Sequence, residues 1–530
     1  MAAVVLLLTL PFIRQPFNQD DRDFVEFARA SANDITSMRL SNCTYDGRFF
    51  LNFRDPHAPL LTTFLGSALR LGGAESETLF HSLYLIFPLI AALSFYFLAM
   101  RFTRRPMTAT MLLLFTPGAL VLSHTLMDNF PGLALSLAAA ALYIYGADRN
   151  NIRLLAASGA VIVLAALTAY QSLSIVPALA FYGLAAKPRT LKKLLPFTFL
   201  LTGGMLWLLA TYKIYGRLPA ISYRIRGQAY QWPGYDQRHG IEPGVLLTML
   251  GGVTVFPLSL LIAFMRRKKD LIAGAVALVM VATWVVLLGT PSGQADWFRS
   301  FLIIALAWAG LMTVYKLVVT AVSTDARFLF VWFASALGAY LFFLIPYVSA
   351  RHLLLLFPPI ILLFVNEAGK LWPARTRARE AFLGATLVMT LAGALAAAIA
   401  DYDSASVYPA AAVELGQQLR ADAGAGGALY YRGEFGFRYY LEQQGFQAMS
   451  DRTELHPGDL IVFSEMSSPA RDWPEGTYTE AARLEPGDSF PFRVWNLWAG
   501  AGFYTDQMGS LPIVVSRAEE DQIIVYRYGD

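Results

Sequence analysis

The sequence predicts a polytopic α-helical membrane protein that ends in a small soluble α/β domain. Three observations carry this. The 530 residues are 56% hydrophobic and 15% charged, with a mean hydropathy of +0.47, too apolar to clothe a soluble surface in charge. Apolar runs of helical length succeed one another from residue 79 to 400, separated by short polar joints. From Asp401 onward the runs become short, strand-like and punctuated by turns.

A bilayer core of about 30 Å needs roughly 20 apolar residues in a helix. Residues 1–13 fall short of that and are read as a first span, truncated or completed by Phe17; the apolar part of a signal peptide is the weaker reading, since no small-residue cleavage site follows. Later candidates are 79–100, 107–124, 130–147, 154–169, 172–186, 194–212, 244–265, 271–290, 300–320, 327–345, 352–366 and 381–400, about thirteen transmembrane helices with the first.

Lysine and arginine near span ends stay cytoplasmic. They gather in alternate joints: Arg101, Arg104 and Arg105; Arg149 and Arg153; Lys187, Arg189, Lys192 and Lys193; Arg266, Arg267, Lys268 and Lys269; Arg327; Lys370, Arg375, Arg377 and Arg379. The N-terminus is therefore expected inside, and the polar loop after residues 1–13 outside. Loops 14–58 and 213–243 also contain arginines, but long loops vote weakly on orientation. The tail carries strand-like runs 428–432, 460–463 and 522–527 and the turns Pro457-Gly458-Asp459 and Pro486-Gly487-Asp488. This gives two expected units, a transmembrane domain 1–400 whose first outer loop, 14–78, carries the chemistry, and an extracytoplasmic α/β domain 401–530.

Composition also excludes. A net charge of +4 over this length gives nucleic acid no electrostatic footing. The single cysteine, Cys43, leaves no intramolecular disulfide and no cysteine cluster for zinc. Asn42-Cys43-Thr44 has sequon form, a three-residue match that chance supplies readily.

Ionisable groups inside a membrane are costly and usually functional. Here they avoid span centres and collect at outer ends: Asp20, Asp21, Asp23, His57, Asp128 with Asn129, Tyr170 with Gln171, Asp296 with Arg299, and Arg351 with His352. An ion-coupled transporter would place acids or broken helices near the midplane; a reaction site at the outer interface fits better. Nucleotide sugars are cytoplasmic, so a sugar donor available there is lipid-linked. Its transfer needs a carboxylate to take the acceptor's proton and cations to hold the leaving phosphate. Asp20 or Asp21 is the candidate base, and Arg54, His57, Arg224, Arg226 and Arg351 are candidate phosphate partners. The plainer reading makes each arginine a solvent or headgroup contact, and the acids a helix N-terminal cap ahead of residues 24–30.

Asp21-Arg22-Asp23 and Asp401-Tyr402-Asp403 share the D-x-D form of metal-dependent nucleotide-sugar enzymes, a spacing that arises easily among 38 acids. No cofactor is assigned, and a divalent metal is left open. His81 and His124 read as interfacial histidines.

Asp20-Asp21-Arg22-Asp23-Phe24-Val25-Glu26-Phe27-Ala28 resembles the D-E-x-x-Y-x-x-x-A first-loop pattern of GT-C glycosyltransferases related to protein O-mannosyltransferases (dolichyl-phosphate-mannose-protein mannosyltransferases) and the lipid A aminoarabinose transferase. His57-Ala58-Pro59-Leu60 resembles their [HK]-P-P-L, Met127-Asp128-Asn129-Phe130-Pro131 their aspartate at an outer helix start, and Arg351-His352-Leu353-Leu354 with Pro358-Pro359 their R-Y-L-L and proline. Gly502-Phe503-Tyr504 and Ile524-Val525-Tyr526-Arg527 look like the outer domain of bacterial members. The resemblance implies a GT-C fold and an inverting transfer from a polyprenyl-phosphate sugar to a glycolipid, polysaccharide or protein, with Asp20 as base and Asp128 as a substrate-binding residue. Asp21 stands for the family glutamate, Phe24 and His352 for tyrosines, and Ala58 for a proline. The rival readings are a transporter or flippase of lipid-linked glycan precursors and a ligase using a diphosphate-linked glycan.

Overall fold

The computed structural model describes residues 1–34, 39–45, 48–54, 57–215, 243–288, 297–341, 347–372, 376–422, 427–468, 475–486 and 490–529. The short apolar helix α1 (Ala2–Thr9) leads into α2 (Asp21–Asn33), the hairpin β1 (Arg39–Tyr45) and β2 (Arg48–Arg54), and α3 (Leu60–Arg70). The helical bundle comes next: α4 (Glu77–Tyr84), α5 (Ile86–Phe102), α6 (Pro106–Phe115), α7 (Pro117–Leu122), α8 (Asn129–Asp148), α9 (Ile152–Thr168), α10 (Val176–Ala185), α11 (Leu195–Tyr215), α12 (Pro243–Gly252), α13 (Pro257–Phe264), α14 (Lys268–Leu288), α15 (Trp297–Thr320), α16 (Thr324–Ala339), α17 (Phe357–Gly369) and α18 (Thr376–Asp422).

Most expected spans correspond to helices, but expected length and observed length differ. Among the described residues seven helices are long and apolar enough to cross a membrane, or eight if α12 and α13, which meet at 96°, form one broken span. Proline explains two of the breaks. Pro117 sits at the start of α7, where the Thr116 side chain accepts from the Ala119 N–H, so the 107–124 run becomes two short helices; Pro257 likewise opens α13 within 244–265. A proline has no N–H to give and fits the first turn of a helix, so it ends one helix and begins another.

The last expected span, 381–400, lies in a helix that continues to Asp422 through Pro409. At 47 residues α18 is about 70 Å long, roughly twice the bilayer core. The composition change at Asp401 therefore falls in mid-helix. The distal half of α18 supports the tail, where Tyr408 packs on Phe437 with ring centroids 5.9 Å apart.

The tail contains β3 (Leu429–Arg432), α19 (Phe435–Gln443), β4 (Gln447–Ala448), β5 (Leu460–Ser464), β6 (Tyr478–Leu484), β7 (Phe492–Arg493), β8 (Trp495–Asn496), β9 (Ala501–Gly502), β10 (Val514–Val515) and β11 (Ile523–Tyr528). A five-stranded mixed sheet runs β4-β3-β5-β11-β6, with β3 parallel to β4 and β5, and β11 antiparallel to β5 and β6. Its central strand β5, Leu-Ile-Val-Phe-Ser, is buried throughout, which accounts for a run without polar alternation. The strand-like runs expected in the tail thus lie in a C-terminal sheet region.

The bundle has two chemically distinct ends. At one, Arg101 pairs with Asp148 at 2.8 Å and Asp325 at 3.0 Å, Arg105 with Glu380, and Arg266 donates to the Lys370 carbonyl at 2.8 Å. These are joints that the charge alternation places together. At the other end the loop before α2 meets the loops before α8 and α17, and there the tail docks.

Candidate active site

Asp20 is the residue preceding α2, and the chain enters it through Gln19, whose φ of 45° lies in the left-handed region that non-glycine residues seldom adopt. The Asp20 carbonyl accepts from the Asp23 and Phe24 N–H groups at 2.9 and 3.2 Å, but its side chain caps nothing. That carboxylate instead takes a hydrogen bond from Nη1 of Arg351. The capping reading of the acidic cluster thus applies to the Asp20 backbone and not to its carboxylate.

Arg351 lies in the 3-10 stretch Ala350–Leu356 that leads into α17. Its Nη2 donates to the Tyr347 hydroxyl at 2.5 Å, Nη1 also approaches Sδ of Met127 at 3.3 Å, and Nε is buried without a partner among the described residues. Side-chain exposure is 13% for Arg351 and 18% for Asp20, so the pair is sheltered but not sealed from solvent. The tail fixes this stretch: the Ala350 N–H donates to the Phe503 carbonyl and the Asp506 N–H to the Val348 carbonyl, both at 2.9 Å.

Asp21, one residue on, faces the opposite way. Fully buried, its two carboxylate oxygens accept from the Leu126 N–H at 2.7 Å and the Asn18 N–H at 3.1 Å. Burial pushes its carboxyl well above the usual carboxylate range; the two N–H groups oppose that, and the nearby Asp401 and Asp20 charges add to it. The Leu126 loop is held in turn by Tyr84, whose hydroxyl donates to the Met127 carbonyl at 2.6 Å. Asp21 is therefore placed to brace the loop that carries Met127 to Arg351.

The other expected residues divide. His57 packs its ring on Phe24 with centroids 4.8 Å apart and interacts electrostatically with His352, which also feels Arg351. His352 in turn lies 5.5 Å from the Tyr347 ring. Asp128 stands before α8 without capping it and within electrostatic range of Tyr84. Arg224, Arg226 and Asp296 lie outside the described residues, as do the side chains of Arg54, Asn42 and Cys43.

The D-x-D acids have other employment. Asp401 is fully buried in α18, accepting from Gln15 Nε2 and the Tyr504 hydroxyl, each at 2.8 Å, so it ties the N-terminal segment to the tail. Among the described residues no three His, Cys, Asp or Glu side chains converge as a metal site. His81 and His124 are core residues and not interfacial ones, 2% and 3% exposed and packed against Phe17 and Phe12. Tyr347 and Tyr84 escaped the sequence reading because a lone tyrosine in an apolar chain carries no local signal, and Met127 entered it only as the neighbour of Asp128.

The sequence matches no protein-family model and no curated protein. In fold the chain is similar to ArnT from Cupriavidus metallidurans bound to undecaprenyl phosphate, at 14% identity and a TM-score of 0.43, over 87% of this chain and 92% of that one. It is also similar to the Archaeoglobus fulgidus oligosaccharyltransferase in its apo form, at 12% identity and a TM-score of 0.49, over 85% of this chain and 64% of the archaeal one. The archaeal oligosaccharyltransferase AglB from Archaeoglobus fulgidus, in complex with an inhibitory peptide and a dolichol-phosphate, gives 13% identity and a TM-score of 0.48 over 85% of this chain and 64% of that one.

Proposed function

We propose that this chain is an inverting glycosyltransferase of the GT-C kind, moving a sugar from a polyprenyl-phosphate donor to a glycolipid, polysaccharide or protein acceptor at the outer face of the membrane. The observation that carries the reading is the pairing of Asp20 with Arg351, a carboxylate and a guanidinium from distant parts of the chain at the end of the bundle that the charge alternation makes outer. The motif resemblance at both residues supports it independently.

In this reading the donor phosphate competes with Asp20 for Arg351, whose planar fork and unspent Nε suit phosphate oxygens. Asp20, released, accepts the proton of the acceptor hydroxyl as its oxygen bonds to the anomeric carbon. The bond from that carbon to the phosphate oxygen breaks with its electron pair on the phosphate, and polyprenyl phosphate leaves with Arg351 offsetting its charge. Entry opposite the departing phosphate inverts the anomeric centre. His57 and Asp128 line the substrate side of the pair, and the tail stands outside the bilayer with the site.

The test supplies purified protein in nanodiscs with a labelled polyprenyl-phosphate sugar. Transfer with release of the monophosphate, lowered about 10²- to 10⁴-fold in Asp20→Asn, supports the reading. Full activity of that variant overturns the base assignment. Lipid movement without transfer selects the flippase, and release of a diphosphate selects the ligase.

A further inference from the structure

We propose that helix α19 of the tail is the positioning element of Asp20, with Glu442 and Arg438 as positioning residues. This rests on the role given to Asp20 above and extends it to residues that touch no substrate.

The chain is gripped on both sides of Asp20. Before it, the Phe17 N–H donates to the Tyr440 hydroxyl oxygen at 2.9 Å, and the rings of Phe17 and Tyr439 meet edge to face at 4.9 Å. The Phe17 carbonyl lies so close to Gly436 that a Cβ there would come within 2.2 Å of it. After Asp20, the Arg22 guanidinium, 4% exposed, pairs with Asp23 at 2.9 Å, with Glu26, and with Glu442 of α19 at 3.9 Å. Glu442 is itself held by Arg438 at 3.0 Å and by the Tyr431 hydroxyl at 2.7 Å, and Arg438 also pairs with Glu434 at 3.2 Å.

The same helix steadies the neighbours of α2. Tyr440 donates to Glu77 and Tyr439 to Glu75, each at 2.8 Å, and Glu75 is also clasped by Nε and Nη2 of Arg29 at 2.5 Å. Arg438 donates to the Thr44 carbonyl of β1, and Asp451 accepts from the Phe49 N–H of β2 at 2.9 Å.

Arg22 and Arg438 are buried while the Glu442 side chain is 35% exposed; a cation buried without its partner is costly, so the network tolerates few arrangements. Paired guanidinium and carboxylate groups add to the packing of α2 a directional restraint on its rotation. Since the tail also holds Arg351 through Phe503 and Asp506, one domain sets both members of the Asp20–Arg351 pair. That is the arrangement needed when small misplacement of a reacting group lowers rate steeply.

The experiment uses full-length protein in nanodiscs and the variants Glu442→Gln, Glu442→Asp and Gly436→Ala, the last chosen because it wedges α19 from Phe17 without removing a charge. Hydrogen exchange of peptides covering 21–33 is compared with peptides from α9, and kcat and KM are measured for the lipid-linked donor. The expected result is faster exchange in 21–33 but not in α9 for Glu442→Gln and Gly436→Ala, a kcat lowered about tenfold or more with donor KM within about threefold, and recovery in Glu442→Asp. Unchanged exchange in 21–33, or faster exchange with unchanged kcat, overturns the proposal. If the wild type transfers no sugar, the glycosyltransferase reading fails, and exchange alone decides whether α19 positions α2.

Discussion

Arg351 reaches Asp20 across 331 positions of sequence and, through its second Nη, the Tyr347 hydroxyl. The carboxylate therefore faces a cation in place of its own helix terminus. In the mechanism proposed above, a phosphate that draws Arg351 off Asp20 makes donor binding and base release one event.

Arg351→Gln keeps some hydrogen-bonding capacity but loses the charge, and Arg351→Lys keeps the charge but loses the fork. We expect both to raise the donor KM, Gln by about 100-fold and Lys by about 10-fold, consistent with the energies of charge-assisted and bidentate contacts. Titration of the donor lipid at fixed acceptor checks this; equal KM values in all three proteins would remove Arg351 from the phosphate site.

Asp20→Asn and Asp21→Asn are expected to part company. Asp21 accepts from two backbone N–H groups in a fully buried site, and an amide can accept at only one end. Asp21→Asn should lose about 1–3 kcal/mol of stability, read as a lower Tm in detergent, whereas Asp20→Asn should lose activity with a smaller change in Tm. A Tm drop confined to Asp20→Asn would reverse these assignments.

In the tail sheet, burial pushes the Asp521 carboxyl up to about 7, against hydrogen bonds from Ser464 and the Met466 and Gln522 N–H groups. Between about pH 4 and this value the folded state holds a proton that the unfolded chain has released, so the stability this group contributes is fully present below about pH 4 and is lost as pH rises through about 7. Asp521→Asn should flatten this part of the profile. Thermal unfolding at stepped pH is the check, and an unchanged slope in the variant would contradict it.

What the sequence made legible was local. Expected 79–100 and 130–147 became Glu77–Phe102 and Asn129–Asp148, because long apolar runs form helices wherever they sit. Asp20 and Arg351 stood out because ionisable groups avoid span centres and collect at outer ends, and because both sit in stretches that resemble the GT-C pattern. The number of full-length spans was less legible, since Pro117 and Pro257 divide runs that hydropathy reads as continuous. The continuation of α18 past Asp401 was hidden by its polar residues: Glu414, Gln417, Gln418 and Arg420 are exposed, and Asp401 is buried against partners far away, Gln15 and Tyr504. The grip of α19 was invisible for the same reason. Glu442 and Arg438 look like an ordinary helical i,i+4 pair, and nothing local shows that the Glu442 carboxylate also faces Arg22.

The most direct test of the Asp20–Arg351 site is the structure of the protein with a bound polyprenyl phosphate, determined by cryo-electron microscopy. The phosphate is expected within hydrogen-bonding distance of Arg351, with Asp20 drawn off the guanidinium and facing the open side of the site. A headgroup bound elsewhere, with the Asp20–Arg351 pair intact, would contradict the role given to both residues.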